Sequence, residues 1–274
     1  MRLSAPLASG RLLGRRKRFF ADIALDDGRT IVAHCPNTGR LLGCLETGAR
    51  VVVQGRGSAT RTLPWTWVLV RAERSWVAVE SAIAVAGVRD AWRGGLLPEL
   101  GPATWAHAEV PYGMSRRSRI DLVLTDATRA ALSDAPAGGG SRGAAPGSDV
   151  GVGPIAPPRW VEVKATTMVT GRGAGRVAAF PDAVTARGSK QLEDLIGCVE
   201  AGARAAVVFA VMRTDAARLT VADAIDPAYG RMLRSAVDHG VELYAVGATI
   251  RVHGGRPSPS SVAIDFTRRL PITL

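Results

Sequence analysis

Two strand-like segments decide the fold class of this chain: Ser118-Arg119-Ile120-Asp121-Leu122-Val123-Leu124 and Arg159-Trp160-Val161-Glu162-Val163-Lys164. Each is an apolar run interrupted by an acidic residue, which costs free energy in a strand unless the acid has a partner. In the second segment Glu162 and Lys164 alternate with valines, so both charged side chains leave the same face of the strand. We therefore expect Asp121, Glu162 and Lys164 to lie close together on one sheet.

These three residues form a chemically specific set. Two carboxylates on adjacent strands provide the hard oxygen ligands that Mg²⁺ and Mn²⁺ prefer. A lysine beside them can hold a water molecule or neutralise charge that develops on a phosphate. The arrangement is typical of the PD-(D/E)xK nuclease fold and predicts Asp121 and Glu162 as metal ligands and Lys164 as a third catalytic residue. The alternative is that Glu162 and Lys164 form an ordinary charge pair on a solvated sheet face.

Lysine is rare in this chain, which favours a chemical role for Lys164. Lysine and arginine together number 35, yet the lysines are only Lys17, Lys164 and Lys190. Arginine is a planar fork that stays protonated, whereas lysine is a compact charge whose pKa can shift. A sequence that uses arginine for almost every surface cation has kept lysine at this position.

The composition indicates a globular protein with a polyanionic partner. The 274 residues are enough for one large domain or two ordinary ones, with 47% hydrophobic and 22% charged residues. The net charge is +11, and the sequence pI is about 10.8. Residues 1–80 hold 13 Lys and Arg against 6 Asp and Glu, a net charge of +7. This N-terminal charge favours nucleic acid as the partner.

The cysteines and the apolar runs indicate a cytoplasmic location. Cys35, Cys44 and Cys198 form no CxxC pair, which is typical of a reducing compartment. Cys35 and Cys44 with the neighbouring His34 lack a fourth ligand at zinc-site spacing. The N-terminus has no apolar signal segment, and the longest apolar run, residues 205–212, is too short to span a bilayer. We expect no membrane association.

The N-terminal third has the pattern of a small β-barrel. Asp26-Asp27-Gly28 is a strong hairpin turn signal between the first two predicted strands. The five strands predicted here are Phe19–Leu25, Thr30–His34, Arg50–Gln54, Trp65–Arg71 and Trp76–Val79. Five strands of this length indicate a closed barrel of the OB type, a fold often used for nucleic acid. We assign residues 1–80 to this domain.

Residues 81–274 have the pattern of a mixed α/β domain. We predict helices at Val88–Leu97, 189–201 and Pro227–His239, and strands at Ala106–Pro111, Arg119–Leu124, Trp160–Lys164, Ala205–Val211 and Val241–Val246. Helix, three strands, helix and strand is the core order of the restriction-endonuclease-like fold. Residues 133–158 are rich in Gly, Ala, Ser and Pro, and we predict a flexible insertion there.

Longer motifs resemble those of the sugar fermentation stimulation protein family, SfsA. They are Lys17-Arg18-Phe19-Phe20-Ala21-Asp22, His34-Cys35-Pro36-Asn37-Thr38-Gly39, Leu63-Pro64-Trp65-Thr66-Trp67, Glu109-Val110-Pro111-Tyr112-Gly113, Ser118-Arg119-Ile120-Asp121, Val161-Glu162-Val163-Lys164 and Phe180-Pro181-Asp182-Ala183-Val184-Thr185. Three places depart from the family pattern, and one of them is the Gly/Ala-rich stretch at 133–158, which is longer than usual. Val85-Ala86 stands where the family usually carries Asn-Arg before the first helix of the nuclease domain. Arg187-Gly188-Ser189-Lys190-Gln191-Leu192 replaces Arg-Gly-Gln-Lys-His-Leu.

This resemblance implies an OB-like N-terminal domain joined to a PD-(D/E)xK domain. The family is described as DNA-binding and is linked to the expression of sugar-utilisation genes, with nuclease activity inferred for it. The resemblance therefore makes DNA the expected partner ahead of RNA, and Mg²⁺ or Mn²⁺ the expected cofactor. The sequence does not fix the oligomeric state, and a homodimer is one alternative.

Four further residues are candidates to support the acidic site. Glu109, on the strand before Asp121, could add a metal ligand or remain a solvated strand residue. Asp182 lies in a turn, where an acid often serves only the turn, and the family motif makes it a candidate. Lys190 and Gln191 open a helix that we expect to face the site, although a charged first turn is the simpler interpretation.

The candidate nucleic-acid contacts lie in the N-terminal domain. Arg15-Arg16-Lys17-Arg18 joins cations to the adjacent Phe19, as in proteins that bind single strands, although such clusters also occur on plain surfaces. Asn37 and Trp65 are two more candidates. Asn37 also has the chemistry of a turn, and core packing is the favoured alternative for Trp65.

These features together predict a metal-dependent nuclease that binds nucleic acid. One alternative is a DNA-binding regulator whose nuclease fold is catalytically idle, which the missing Asn-Arg pair favours. Another is an enzyme that acts on a small phosphorylated metabolite with the same metal site. The N-terminal charge disfavours this last alternative.

Overall fold

The computed structural model describes residues 1–4, 6–56, 62–113, 118–134, 157–171 and 175–274. The insertion predicted at 133–158 falls outside the described residues from 135 to 156. The glycines of Gly171–Gly175 predict a turn from the sequence, and residues 172–174 of it also lie outside the described residues.

The N-terminal part contains a closed five-stranded barrel, as the sequence predicts. Its strands are β2 (Leu7–Arg16), β3 (Phe20–Leu25), β4 (Thr30–His34), β5 (Arg50–Gly55) and β6 (Trp65–Ala72), and β7 (Ser75–Ala78) extends the sheet beyond β6. The order is β4-β3-β2-β5-β6-β7, and a parallel pairing of β4 with β6 closes the barrel. An OB-like fold is therefore confirmed.

One barrel strand, β2, has no counterpart among the strands predicted from sequence, and the fifth predicted strand corresponds to β7. β2 contains two glycines and three arginines rather than a β-branched run. Gly10 is needed there because a Cβ atom would lie 2.4 Å from the Ala24 carbonyl oxygen of β3. The close approach of two backbones thus removes the side-chain pattern by which strands are recognised.

The remaining chain forms a mixed α/β domain around a seven-stranded sheet. Its strands, in the order β1-β16-β15-β13-β10-β9-β8, are β1 (Arg2–Ser4), β16 (Ser261–Arg269), β15 (Glu242–His253), β13 (Arg204–Val211), β10 (Arg159–Thr166), β9 (Ser118–Thr125) and β8 (Trp105–Tyr112). β10, β13 and β15 are parallel, and the other neighbours are antiparallel. The first residues of the chain therefore pair with this sheet rather than with the barrel.

A smaller four-stranded sheet, four α-helices and a 3-10 helix at Pro98–Leu100 complete the part of the domain that the structure describes. The small sheet has the order β11 (Val169–Thr170), β12 (Arg176–Phe180), β14 (Ala216–Val221) and β17 (Ile272–Thr273). The helices are α1 (Ala82–Arg93), α2 (Arg129–Asp134), α3 (Ala186–Glu200) and α4 (Pro227–Asp238). None of the helices in the described ranges is long and apolar enough to cross a membrane.

The two faces of the large sheet bury two separate cores. Val161 on β10 packs with Ile83 and Val88 of α1 on one face. Val207 and Phe209 of β13 pack with α3 and α4 on the other face. Side chains alternate along β10, so Glu162 and Lys164 lie on the face opposite Val161, under α3.

The predicted helices exist, with shifted boundaries for two of them. α1 begins at Ala82 rather than at Val88, so Val85 and Ala86 lie inside the helix. α3 begins at Ala186 because the Thr185 hydroxyl accepts a hydrogen bond from the Gly188 N–H. α4 begins as predicted, with the Asp226 carboxylate accepting from the Tyr229 N–H.

Two helical glycines provide a matched test of this packing. A Cβ atom on Gly87 of α1 would lie 2.3 Å from the ring of Phe266, whereas a Cβ atom on Gly197 of α3 would meet nothing within 4 Å. We expect Gly87→Ala to lower the free energy of unfolding by about 1–3 kcal/mol through overpacking. Gly197→Ala should raise it by up to about 1 kcal/mol through helix propensity. Urea denaturation measures both, and equal effects of the two substitutions would contradict the packing described.

Candidate active site

The site forms where two neighbouring strands separate. β9 and β10 pair from Arg159–Leu124 as far as Val161–Leu122, and the backbone ladder ends there. Beyond that point the Asp121 Oδ2 atom accepts a hydrogen bond from the Val163 N–H at 2.7 Å. The Asp121 side chain therefore takes the place of a backbone acceptor and fixes its own carboxylate at the fork between the strands.

A buried polar group next to the fork joins β10 to α3. The Lys164 Nζ atom donates to Glu162 Oε1 at 2.9 Å and to Gln191 Oε1 at 2.8 Å. Glu162 is 4% exposed and Lys164 is 8% exposed. The pair is thus covered by α3 and does not lie on a solvated face. Gln191 is also buried and positions the lysine from the helix side.

Burial, together with the charge of the nearby Glu162 carboxylate, raises the pKa of Asp121 to about 7, while the Val163 N–H and Lys164 oppose the shift. Two carboxylates that share a desolvated site repel one another when both are ionised. The arrangement therefore favours either a proton on Asp121 or a cation at the fork.

One carboxylate oxygen of Glu162 and two nearby tyrosine hydroxyls are buried and have no hydrogen-bond partner in the part of the chain that the structure describes. They are Glu162 Oε2 and the hydroxyl oxygens of Tyr112 and Tyr229. Burial, with Glu162 as the leading charge in both cases, raises the pKa of each tyrosine. Sequence reasoning missed both tyrosines. The only available signal was the position of Tyr112 in the Glu109-Val110-Pro111-Tyr112-Gly113 motif.

The donor set fits a hard divalent cation. Glu162 Oε2 is a buried oxygen without a hydrogen-bond donor, and Asp121 presents its carboxylate at the adjacent fork. The described ranges contain no group of three or more His, Cys, Asp or Glu residues placed to share a metal ion. Mg²⁺ commonly binds through one or two carboxylates and keeps several waters, so two protein carboxylates suffice for it.

Glu109 lies beside Asp121 at an irregular point of β8. The register passes from Ala108–Leu122 to Val110–Ile120 and leaves Glu109 unpaired opposite Asp121. Its backbone has a left-handed φ of 55°, which is uncommon for a non-glycine residue. The side chain is exposed, and its charge contributes to the raised pKa of Asp121. Glu109 is thus near the fork but outside the buried group.

The other two supporting candidates take different roles in the geometry. Lys190 is exposed and pairs with Asp194 at 3.0 Å, and Asp194 also accepts from Ser118. Asp182 accepts a hydrogen bond from the Leu41 N–H at 2.8 Å, so it contacts a barrel loop. Within the described residues, neither Lys190 nor Asp182 forms a hydrogen bond with Asp121 or Glu162.

The basic cluster forms the exposed hairpin between β2 and β3. Arg15 has a structural role, since its guanidinium donates hydrogen bonds to the carbonyl oxygens of Arg18, Asn37 and Gly39. Arg16 pairs with Asp22 at 3.0 Å on the surface. Lys17 and Arg18 occupy the turn itself, with left-handed φ values of 49° and 63°.

The last two candidates are partly or fully engaged. The Asn37 Nδ2 atom donates to the Val79 carbonyl oxygen, and its Oδ1 accepts from the Gly39 N–H. Trp65 is half-buried, with the Arg29 guanidinium 6.0 Å from its ring centre. Neither contact tests a role in binding nucleic acid, so that role stays a prediction.

Comparisons with known proteins agree with this architecture. The profile described as "SfsA N-terminal OB domain" matches residues 13–79, and "Sugar fermentation stimulation protein RE domain" matches residues 142–254. A sugar fermentation stimulation protein homolog of Citrifermentans bemidjiense is 40% identical over 274 residues, covering 100% of both chains. A homolog of Thioalkalivibrio sulfidiphilus is 40% identical over 239 residues, covering 87% of each chain.

A solved structure shows the same fold. "The structure of Pyrococcus Furiosus SfsA in complex with Ca2+" matches with a TM-score of 0.74 at 20% sequence identity. The match covers 100% of this chain and 98% of that chain.

The raised pKa of Asp121 predicts how stability depends on pH in chelator-treated protein. The folded-state pKa of about 7 exceeds the unfolded value near 3.9, so the folded state holds a proton that the unfolded state releases. The free energy of unfolding should therefore fall between about pH 4 and pH 7, by up to about 1.4 kcal/mol per pH unit from this group. Asp121→Asn should abolish that contribution and be more stable than the parent at pH 8.

Urea denaturation in the presence of EDTA at several pH values measures this effect. Asp238→Asn is the matched control, because Asp238 is an exposed acid at the end of α4. Parallel stability curves for the parent and Asp121→Asn across this range would contradict the environment described for Asp121.

Proposed function

This chain belongs to the sugar fermentation stimulation protein (SfsA) family, and we propose that it binds nucleic acid and cleaves phosphodiester bonds with the help of a divalent metal ion. The observation that carries the proposal is the buried group of Asp121, Glu162 and Lys164 at the fork between β9 and β10. An exposed charge pair would be weaker support, because solvent screens the interaction between exposed charges.

Each side chain has a distinct task in this proposal. Asp121, in its ionised form, and Glu162 Oε2 hold the cation, for which Mg²⁺ and Mn²⁺ are the candidates. When bound, the ion supplies a Lewis acid that stabilises negative charge on the phosphate. Lys164 has committed two of its three N–H donors, to Glu162 and Gln191. Its third donor can orient the attacking water or contact a phosphate oxygen.

The basic hairpin supplies a surface for the phosphate backbone. Lys17 and Arg18 lie at its tip, and the net charge of residues 1–80 is +7. Arg15 holds the barrel loop at Asn37 and Gly39, and the neighbouring Leu41 contacts Asp182. Asp182 precedes Thr185, the N-cap of the helix that carries Gln191. A continuous series of contacts therefore links the hairpin to the acidic site.

The second candidate function is a DNA-binding regulator that does not cleave. The observation that favours it is the small acidic set, because the described residues offer no third buried carboxylate or histidine to a metal. The charge of the barrel would serve such a regulator equally well. Sugar-utilisation genes would be its targets in view of the family resemblance.

Asp121→Asn separates the two functions. We expect the variant to lose Mg²⁺-dependent cleavage by at least about 10²-fold, because a neutral amide holds the metal more weakly. Binding of the same oligonucleotide should change little, since the barrel charge is untouched. Cleavage of labelled single- and double-stranded DNA and RNA is measured on gels with titrated Mg²⁺ or Mn²⁺, and binding is measured by fluorescence anisotropy.

Asp238→Asn is the control for a charge change away from the site, and it should cleave as the parent does. Cleavage by Asp121→Asn at the parental rate would refute the assignment of Asp121. Tight binding by the parent without cleavage under either metal would establish the regulator instead.

The basic hairpin predicts a steep salt dependence of binding. Replacing Arg16, Lys17 and Arg18 together by Ala should weaken binding and reduce the slope of log K against log salt by about 0.9 for each duplex phosphate that is no longer neutralised. Arg15 is left in place because its hydrogen bonds hold the barrel loop. The matched control replaces three exposed arginines elsewhere, Arg93, Arg231 and Arg251. Equal slopes for the two triple variants would show that the hairpin is only a solvated surface.

A further inference from the structure

The face of β10 opposite the acids carries a second charged feature. Arg159 begins β10, and its Cα partner on the neighbouring parallel strand β13 is Arg204. Side chains of register partners on adjacent strands leave the same face side by side. Like charges directly opposite one another destabilise a sheet unless something neutralises them.

The two arginines differ in how they are neutralised. Arg204 is exposed and pairs with the Glu242 carboxylate on β15. Arg159 is only 7% exposed. Within the described ranges it forms no salt bridge, and its buried Nε atom has no hydrogen-bond partner. A buried guanidinium with no acid paired to it among the described residues is costly.

Arg159 lines a cavity of about 250 Å³ that has room for a ligand of several heavy atoms. Gly101 and Pro102 form one wall, and Leu124 and Arg204 also line the cavity. Gly101 has a φ of 68°, and a Cβ atom there would lie 2.9 Å from the Arg159 Nη1 atom. The glycine therefore lets the loop approach the guanidinium closely.

The acid in the cavity wall, Asp126, is already engaged. It accepts hydrogen bonds from the Thr104 N–H at 2.8 Å and the Thr104 hydroxyl at 2.7 Å. These bonds lower the pKa of the exposed Asp126 carboxyl.

From this arrangement we propose that the cavity binds a small anion through Arg159, whereas Arg204 lines the cavity but is already paired with Glu242. The ligand carries a phosphate or carboxylate group, because two parallel N–H donors of a guanidinium match two oxygens of either group. Nη1 and Nη2 are the two donors of this fork, because the Nε atom is itself buried. The site lies on the sheet face opposite Glu162 and is independent of the metal site.

Calorimetric titration tests the proposal with sodium phosphate and sodium acetate as separate probes. Chloride buffers of equal ionic strength exclude a general salt effect. We expect saturable binding of at least one probe, which also identifies whether phosphate or carboxylate is preferred. Arg159→Gln should weaken binding at least about tenfold, and Arg159→Lys should recover it only partly, because lysine keeps the charge but loses the fork.

Arg251→Gln is the matched control, since Arg251 is an exposed arginine on the same large sheet, and it should bind as the parent does. Asp121→Asn should also bind the anion normally, which separates this site from the proposed nuclease function. Arg159→Met should raise the melting temperature in anion-free buffer and abolish any increase that the anion produces. Absence of saturable binding for both probes, or unchanged binding by Arg159→Gln, would overturn the proposal.

Discussion

The separation of β9 from β10 beyond Leu122 is the constraint on which the site depends. Antiparallel strands satisfy their backbone groups through the ladder, and ending it leaves the Val163 N–H without a backbone acceptor. Asp121 supplies the acceptor with its carboxylate. The same hydrogen bond therefore satisfies the backbone and holds an acid beside Glu162. An acid held only by a salt bridge would lack this hydrogen bond to the backbone.

The covering helix and the barrel hold this fork in place. α3 brings Gln191 onto Lys164, and its first turn follows Asp182, which contacts the barrel loop at Leu41. A second contact between barrel and α/β domain is ionic: Arg176 of β12 pairs with Glu73 in the turn between β6 and β7, and also with Asp215. Charged contacts of this kind fix orientation more than they add stability. These contacts connect the domain that carries the acidic site to the barrel that carries the basic hairpin.

The sequence predicted four of the five barrel strands, the central strands and the helices α1, α3 and α4 because their patterns are local. Alternating valines around Glu162 and the N-cap at Asp226 can be recognised without knowing the fold. β2 could not be predicted, because Gly10 is required by the close approach of the neighbouring strand β3, which the sequence of β2 does not reveal. The short strands of the small sheet depend on distant partners, such as β17 on β14, and have little pattern of their own.

The site residues also divide into those that local spacing predicts and those that depend on tertiary packing. Spacing along β10 places Glu162 and Lys164 together, whereas the unpartnered hydroxyls of Tyr112 and Tyr229 follow only from tertiary packing. Arg159 is the clearest case. It belongs to the strand whose other face carries the acids, and an arginine at the start of a strand normally lies in solvent. Its burial, its register with Arg204 and the close approach of Gly101 are seen only in the folded structure. One strand thus places an acid–lysine pair under α3 and a buried cation under the Gly101 loop, because alternate residues must face opposite layers.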